Sequence, residues 1–383
     1  MTNSRRIAAT TEDFLSFRPA AALIDQFRQP HMGLSKELRR SGTRAQTGTV
    51  TRPVALFVLG MGRSGTSALT RVLSLCGGAL PGVLTGADAG NPLGYWEPRA
   101  AIDLNAAILH RHGSSVFDPS LRLQEETALD AQKNAACIAD IKEFLTTLPG
   151  APFVVIKDLS ITGLSGMWFE AARQAGLEIA AVIAVRHPQE VSASFASHPN
   201  LRVPPELASA LWLKNSLLAE RHTRGLPRVF VEYANLLEDW RPQIQRISTA
   251  LGIELNIPDE GAIDEFLKPD LRHQRQPGTV TEIFGTDWIS TVYEVLSGAA
   301  RDEPCDASAL DRVYAAYRAS EHGFRTVFGH YRHFNTFVQI TLFGRTRVFN
   351  SVLLHSLLAR PSIAKLIRAI VSLATRPTQH TSP

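Results

Sequence analysis

The chain contains few cysteines, no long apolar run and no cluster of metal-ligating side chains. Its three cysteines, Cys76, Cys137 and Cys305, are widely spaced, which argues against a disulfide framework and favours a reducing compartment. No uninterrupted run reaches the roughly 18 apolar residues of a membrane-spanning helix, and the first residues, MTNSRRIAATTEDF, lack the apolar core of a signal peptide. We therefore expect a cytoplasmic protein without a metal site.

Acidic residues are also missing from the C-terminal part of the chain. No Asp or Glu follows Glu321, and eight basic residues give residues 322–383 a charge of +8: Arg325, Arg332, Arg345, Arg347, Arg360, Lys365, Arg368 and Arg376. The whole chain carries +4, so residues 1–321 carry +4 minus +8, or −4. The sequence pI of about 9.1 therefore does not indicate a nucleic-acid partner, because the excess charge lies in the tail and no nucleic-acid-binding motif accompanies it.

The basic tail also contains apolar stretches, at Phe334–Phe343, Val352–Leu358 and Ile363–Leu373. Cationic amphipathic segments bind anionic membrane surfaces, so the tail predicts peripheral contact with the inner membrane face. The alternative is a helical extension that packs on the preceding domain with its arginines in water.

The most informative segment is a glycine-rich turn between a strand and a helix. The apolar run Val54–Leu59 predicts a buried strand. Gly60, Gly62 and Gly65 follow, and Thr66–Ser67 opens an apolar-periodic stretch that predicts a helix. Such a turn collects backbone N–H groups at a helix N-terminus, where they bind anions. The segment therefore predicts a site for a phosphate or sulfate group, although a turn that merely joins strand to helix is the simpler alternative.

The turn differs from the nucleotide-binding P-loop in one position. That motif requires Gly, four residues, and then Gly-Lys-Ser/Thr. Gly60 and Gly65 have this spacing, but residue 66 is threonine, and the basic residue is Arg63 inside the turn. An arginine there presents a fixed fork of donors close to the turn itself. This difference argues against an ordinary ATPase or kinase.

With its arginine, the segment GRSGTS resembles the first motif of the sulfotransferases that use 3′-phosphoadenosine 5′-phosphosulfate (PAPS). The resemblance is to the arginine version of tyrosylprotein and many bacterial sulfotransferases. It implies that the 5′-phosphosulfate is bound by Gly62, Arg63, Ser64, Gly65, Thr66 and Ser67. It also implies a P-loop-like α/β fold and a reaction without a metal ion.

Three later segments resemble further motifs of the superfamily. Arg186 ends the strand-like run AVIAV and precedes Ser194 by eight residues, the spacing of the motif that binds the 3′-phosphate. Tyr233 and Leu236 match a Tyr-x-x-Leu segment near the nucleotide, although a core tyrosine is the simpler interpretation. The run FLKPDLRHQRQ contains Arg272, His273 and Arg275, which the resemblance places over the cofactor; a solvated charged face is the alternative.

The acceptor side is predicted from two segments. Residues 91–104, NPLGYWEPRAAIDL, resemble an acceptor-proximal stretch of bacterial family members, in which Glu97 is our candidate general base. His110 and His112 are rival bases, and a helix N-terminal carboxylate is the alternative role for Glu97. The strand-like run FVVIKDLS ends in Lys157, which we expect near the sulfuryl group. Leu159 and Ser160 replace the Pro-Arg of related bacterial enzymes.

Together these segments predict an α/β protein with a P-loop-like, three-layer domain. We expect a lead-in and linker in residues 1–52, a sulfotransferase domain in residues 53–300, and a basic helical extension in residues 301–383. Alternating strands and helices favour a parallel sheet whose carboxyl edge binds ligands. Arg63, Lys157 and Arg186 all follow strand-like runs, so we expect them to meet at that edge.

The predicted activity is transfer of a sulfuryl group from PAPS to an acceptor hydroxyl, with a carbohydrate or glycolipid acceptor expected. One alternative is a P-loop phosphotransferase that requires ATP and magnesium. The other is a non-catalytic relative that keeps the fold as a binding or membrane-associated module, an alternative that the altered Lys-Asp-Leu-Ser stretch leaves open. The sequence leaves the acceptor's identity and the oligomeric state open.

Overall fold

Four apolar segments form the strands of one parallel sheet in the computed structural model, which describes residues 52–126, 130–199, 201, 203–267 and 279–320. The strands are β1 (Val54–Gly60), β2 (Phe153–Ile156), β3 (Glu178–Val185) and β4 (Arg228–Glu232). Their order in the sheet is β2-β1-β3-β4, and each neighbouring pair is parallel.

Twelve helices accompany these strands in the described part of the chain. In chain order they are α1 (Thr66–Leu75), α2 (Arg99–Arg111), α3 (Arg122–Glu126), α4 (Ala131–Thr146), α5 (Ile161–Gln174), α6 (Pro188–Ala196), α7 (Pro205–His222), α8 (Tyr233–Glu238), α9 (Trp240–Leu251), α10 (Glu260–Phe266), α11 (Trp288–Ala299) and α12 (Ala307–Ala319). Among the described residues, no helix has the length and apolar character needed to cross a membrane.

The helices cover both faces of the sheet, because successive strand side chains point to opposite sides. On β1, Phe57 and Leu59 pack into a core with α2, α4, α5, α7 and α11. Leu56 and Val58 instead pack into a second core with α1, α9 and α10. These two cores confirm the predicted three-layer α/β architecture with a central parallel sheet.

The strand register places the carboxyl ends of all four strands on one edge of the sheet. Gly60 pairs with Ala184 and Phe57 pairs with Ile156, while Val185 pairs with Glu232. The loop before α1, Lys157, Arg186 and Tyr233 each follow one of these strand ends. The structure therefore places Arg63, Lys157 and Arg186 at one edge of the sheet, where their positions after strand-like runs predict them.

The apolar periodicity after Tyr233 predicts one amphipathic helix that ends at Gly252, but the segment after β4 forms two. Two helices, Tyr233–Glu238 and Trp240–Leu251, are separated by Asp239, which is extended at φ −152°. The Asp239 side chain accepts a hydrogen bond from the N–H of Arg241 and so caps α9. The predicted end at Gly252 is confirmed, since Gly252 adopts a left-handed conformation with φ 62°.

Residues 301–320 belong to the beginning of the predicted basic extension. In the structure α12 packs in the same core as α7 and α11, and the side chain of Tyr317 is fully buried there. Its hydroxyl donates hydrogen bonds to the backbone oxygens of Pro119 and Ala210. The predicted lead-in up to residue 51 and the tail from residue 321 lie outside the described residues.

Candidate functional site

The glycine-rich turn between β1 and α1 is built on left-handed backbone conformations. Ser64 donates its N–H to the oxygen of Met61 at 3.2 Å, which closes the turn. Arg63 has φ 69° and Gly65 has φ 89°. A Cβ on Gly65 would also clash with the ring of Tyr233, which lies directly against the turn. Glycine is therefore required at position 65 for both conformation and space.

Leu159, at a position where the chain departs from the bacterial pattern, supports the same turn. Its side chain fills the space that a Cβ on Gly62 would need. The residue that follows the Lys157–Asp158 pair therefore packs directly against the turn.

The first turn of α1 completes the cradle. The helix begins at Thr66, has no side-chain cap at Gly65 and has no acidic residue in its first turn. The first N–H groups of a helix have no intrahelical partner, and the helix dipole makes this end positive. The arrangement is suited to a bound anion.

The second predicted motif lies against the first. Arg186 donates from Nη1 to the backbone oxygen of Arg63 at 2.8 Å and from Nε to Glu190 at 2.9 Å, and its guanidinium stacks on the Tyr233 ring at 4.9 Å. Arg63 donates from Nε to the hydroxyl of Ser194 at 3.0 Å. The structure thus brings Arg63, Arg186, Ser194 and Tyr233 together.

The two guanidinium groups create a local excess of positive charge. Burial lowers the pKa of Arg63, and the neighbouring charge of Arg186 lowers it further. Within the described residues Nη1 and Nη2 of Arg63 make no hydrogen bond. An anion between these groups would relieve the repulsion and accept those donors.

Lys157, at the end of β2, joins the loop to the predicted general base. Its ammonium donates to Glu97 Oε1 at 2.6 Å, to the hydroxyl of Ser67 at 3.2 Å and to the backbone oxygen of Tyr95 at 3.2 Å. The Lys157 and Glu97 side chains are only 4% and 12% exposed. Glu97 is therefore an ion-paired carboxylate at the site, not simply a carboxylate at the start of a helix.

The backbone at Trp96, next to Glu97, is strained, and this conformation accompanies the contact between Glu97 and Lys157. Trp96 has φ 59°, a conformation that bulky residues rarely adopt and that costs about 1–3 kcal/mol. It allows the groups on both sides, the oxygen of Tyr95 and the carboxylate of Glu97, to reach the same ammonium of Lys157. The Trp96 ring is covered instead by the guanidinium of Arg71, 4.4 Å from its centroid.

A buried hydrogen-bond chain fixes the residue after Lys157. Asp158 Oδ1 accepts from Asn105 Nδ2 at 2.6 Å and from the N–H of Ser160 at 2.9 Å, and Asn105 Oδ1 accepts from Trp168 at 2.9 Å. Burial raises the pKa of Asp158 to about 6, and the nearby charge of Glu97 contributes to the increase. Lys157 therefore forms an ion pair with Glu97 and none with Asp158, on which it acts through its charge.

Sequence reasoning missed a second polar group beside the turn. The hydroxyl of Tyr95 donates to Asp88 at 2.9 Å and lies 3.5 Å from His198 Nε2. Burial lowers the pKa of His198, and the charge of Arg63 lowers it further. His198 lies beyond the end of α6 at Ala196, so no helix spacing in the sequence indicates that it reaches Tyr95.

The two histidines named as rival bases lie away from this site. His110 is exposed and His112 is buried beside Cys137, at the end of α2 opposite to Glu97. The helix separates its two ends by roughly 18 Å. Arg272, His273 and Arg275 lie outside the described residues. Among the described residues, no group of three or more His, Cys, Asp or Glu side chains is arranged to hold a metal ion.

Comparisons with known proteins gave matches only to solved structures. No family model and no curated protein matches the chain. The structure is similar to the sulfotransferase domain of the Synechococcus PCC 7002 olefin synthase, with 16% identity over 72% of this chain and 98% of that one, and a TM-score of 0.35. It is also similar to the sulfotransferase domain of the curacin biosynthetic pathway, with 14% identity over 69% of this chain and 97% of that one, and a TM-score of 0.35. Both of these solved structures are sulfotransferase domains.

Proposed function

We propose that the protein is a PAPS-dependent sulfotransferase that transfers a sulfuryl group to an acceptor hydroxyl by in-line displacement. The observation that carries the proposal is the contact between an arginine-containing anion cradle and an acid–base pair. Lys157 donates both to Ser67, in the first turn of α1, and to the carboxylate of Glu97. Sulfuryl transfer to a hydroxyl requires a cation and a proton acceptor, and both lie here at the mouth of an anion site.

The residues of the cradle fit the donor. The turn and helix start at Gly62–Ser67 would hold the 5′-phosphosulfate, and Arg186 with Ser194 would hold the 3′-phosphate beside Tyr233. The predicted contribution of Arg272, His273 and Arg275 to the same donor remains part of the proposal. When bound, PAPS supplies the sulfuryl group: the acceptor oxygen bonds to sulfur while the bond from sulfur to the 5′-phosphate oxygen breaks, and that oxygen keeps the electron pair.

The chain's own residues then have separate tasks. Arg63 and Lys157 stabilise the negative charge on the transferring oxygens and on the leaving phosphate. Glu97 takes the proton of the acceptor hydroxyl. All three N–H groups of Lys157 are engaged in the structure. Lys157 must therefore give up one of these contacts to bind a sulfuryl oxygen, and the neutral Ser67 hydroxyl is the natural one to leave.

The acceptor is proposed to be a carbohydrate or a glycolipid. The reason is the basic, apolar composition of residues 322–383, which favours peripheral contact with the anionic inner face of a membrane and so access to lipid-linked sugars. A cytoplasmic location is part of the same proposal.

Calorimetric titration tests the donor site. The purified protein is titrated with 3′-phosphoadenosine 5′-phosphate and, separately, with ATP and magnesium. We expect binding of the bisphosphate that is weakened at least tenfold in Arg63→Ala and in Ser194→Ala. Arg173→Ala, which changes an exposed arginine of α5, is the matched control and should bind like the wild type.

The alternatives give different results in this titration and in an assay of sulfuryl transfer. Preference for ATP with magnesium would overturn the proposal in favour of a phosphotransferase. Bisphosphate binding without transfer of radiolabelled sulfate from PAPS to any glycan, glycolipid or simple alcohol would favour a non-catalytic binding protein.

A further inference from the structure

Lys157 is followed by a second carboxylate, Asp158, which has no role in the proposed transfer. Asp158 is 6% exposed, and its Oδ1 is held by Asn105 Nδ2 at 2.6 Å and by the N–H of Ser160 at 2.9 Å. Asn105 is fully buried and is itself fixed by Trp168. A charged group in such a position is costly unless its charge is balanced, so a role for that charge is expected.

Proton transfer to Glu97 changes the charge balance around Lys157. Before transfer, the buried ammonium is paired with the Glu97 carboxylate at 2.6 Å. After transfer, Glu97 is neutral and the ammonium has lost its direct counter-ion. A buried charge whose partner has been removed is strongly destabilised. Besides the anionic leaving group, Asp158 is then the carboxylate whose charge acts on the ammonium, and that charge favours proton transfer to Glu97.

We propose that Asp158 is a positioning residue whose charge balances that of Lys157 while Glu97 holds the acceptor's proton. This inference rests on the proposed function. The proton leaves the acceptor hydroxyl and binds to Glu97, and the summed charge of Glu97, Lys157 and Asp158 changes from −1 to 0. With a neutral residue at position 158 it would change from 0 to +1, which is the less favourable change in a buried site.

The groups that surround Asp158 support this role. Glu97 and Lys157 are the charged groups that influence it, whereas α2 contributes the neutral Asn105 and the start of α5 contributes the N–H of Ser160. Burial and the charge of Glu97 raise the pKa of Asp158, and Lys157 lowers it. Once Glu97 is neutral its contribution disappears, so Asp158 becomes more firmly ionised just when its charge is needed.

Asp158→Asn tests the role by removing the charge while keeping the shape. The asparagine oxygen can still accept from Asn105 and from Ser160, so the fold should be retained, which circular dichroism and thermal unfolding check. We expect kcat to fall about tenfold, with KM for PAPS changed less than threefold and the acidic limb of the pH–rate profile displaced to lower pH. Asp140→Asn, which changes an exposed partner of Arg111 on α4, is the control and should behave as wild type. An unchanged kcat and acidic limb in Asp158→Asn would overturn the proposal.

A measurement on the ligand-free protein separates this inference from the proposed function. In carboxyl-detected ¹³C NMR, we expect Asp158 to titrate near pH 6 in the wild type and at lower pH in Glu97→Gln. An unchanged titration in Glu97→Gln would overturn the coupling, whatever the activity. A shifted titration in a protein that transfers no sulfuryl group would instead count against the proposed function.

Discussion

The ammonium of Lys157 lies 2.6 Å from Oε1 of Glu97, although 59 residues separate the two in the chain. Lys157 is fixed at the end of β2, and Glu97 is brought to it by the strained backbone at Trp96. The pair is nearly closed to solvent and touches the anion cradle through Ser67. A buried ion pair contributes little net stability relative to apolar residues, which agrees with the role proposed for this pair at the cradle.

Glu97→Gln is the most direct test of proton transfer. Glutamine keeps the size of the side chain and an oxygen for Lys157 but cannot take a proton at neutral pH. We expect kcat for sulfuryl transfer to fall by about 10²–10⁴-fold, with affinity for 3′-phosphoadenosine 5′-phosphate changed less than threefold. Asp103→Asn, on the exposed side of α2, is the control. If Glu97→Gln keeps full activity, the base lies elsewhere, and His198 becomes the first candidate.

Arg186→Lys tests whether the geometry of the arginine matters beyond its charge. Arg186 simultaneously contacts the Arg63 oxygen, the Glu190 carboxylate and the Tyr233 ring, which a lysine cannot do. We expect bisphosphate affinity to fall at least tenfold and the free energy of unfolding to fall by about 1–3 kcal/mol. Calorimetry and urea unfolding measure the two effects, with Arg173→Lys as control. Wild-type affinity in Arg186→Lys would show that charge alone is sufficient there.

The sequence was sufficient to predict the strands, the turn and the meeting of Arg63, Lys157 and Arg186. Each follows an apolar run that is recognisable locally, and a parallel sheet places all carboxyl strand ends on one edge. The resemblance to the 3′-phosphate motif also predicted a shared site for Arg186 and Ser194, and the structure adds that Ser194 accepts a hydrogen bond from Arg63.

The contacts that depend on distant segments could not be predicted in this way. The pairing of Glu97 with Lys157 requires the conformation of Trp96, which no local propensity favours for a tryptophan. The approach of His198 to Tyr95 depends on how α6 ends beside residues 88–95. The break at Asp239 was missed because its capping side chain competes with helix continuation.

Gly65→Ala tests the construction of the turn. Alanine at φ 89° is strained, and its Cβ would clash with the Tyr233 ring. We expect a loss of about 2–4 kcal/mol in the free energy of unfolding, together with loss of bisphosphate binding. Gly166→Ala is the matched control, because Gly166 lies in helix α5 with open space around its Cβ position; there alanine should stabilise by about 0.5–1 kcal/mol.

The double variant Gly65→Ala/Tyr233→Ala separates the two contributions to that loss. Removing the ring relieves the clash but not the backbone strain, so the combined loss should be smaller than the sum of the two single losses. Additive losses would show that the ring already moves aside in Gly65→Ala.

The lowered pKa of the buried His222 predicts how the free energy of unfolding depends on pH. Burial lowers its pKa from the ordinary 6.5 to about 4, with the charge of Arg221 adding to the effect, and Nδ1 lies 2.7 Å from the Ser165 hydroxyl. Between pH 4 and 6.5 the unfolded chain therefore binds a proton at this position that the folded protein does not. The contribution of His222 to stability is complete above pH 6.5 and is lost as the pH falls toward 4.

Urea unfolding of His222→Gln and wild type over this pH range measures the effect. The contribution amounts to about 3 kcal/mol, so the variant should lose less stability than the wild type, by roughly that amount, between pH 6.5 and 4.

Asp158 acts in the opposite sense, since its raised pKa means that the folded protein binds the extra proton there, but it is common to both proteins and cancels in the comparison. His110→Gln, at an exposed position of α2, is the control. If the free energy of unfolding of His222→Gln and of the wild type changes in parallel with pH, His222 is solvated, or protonated in place, in the folded protein.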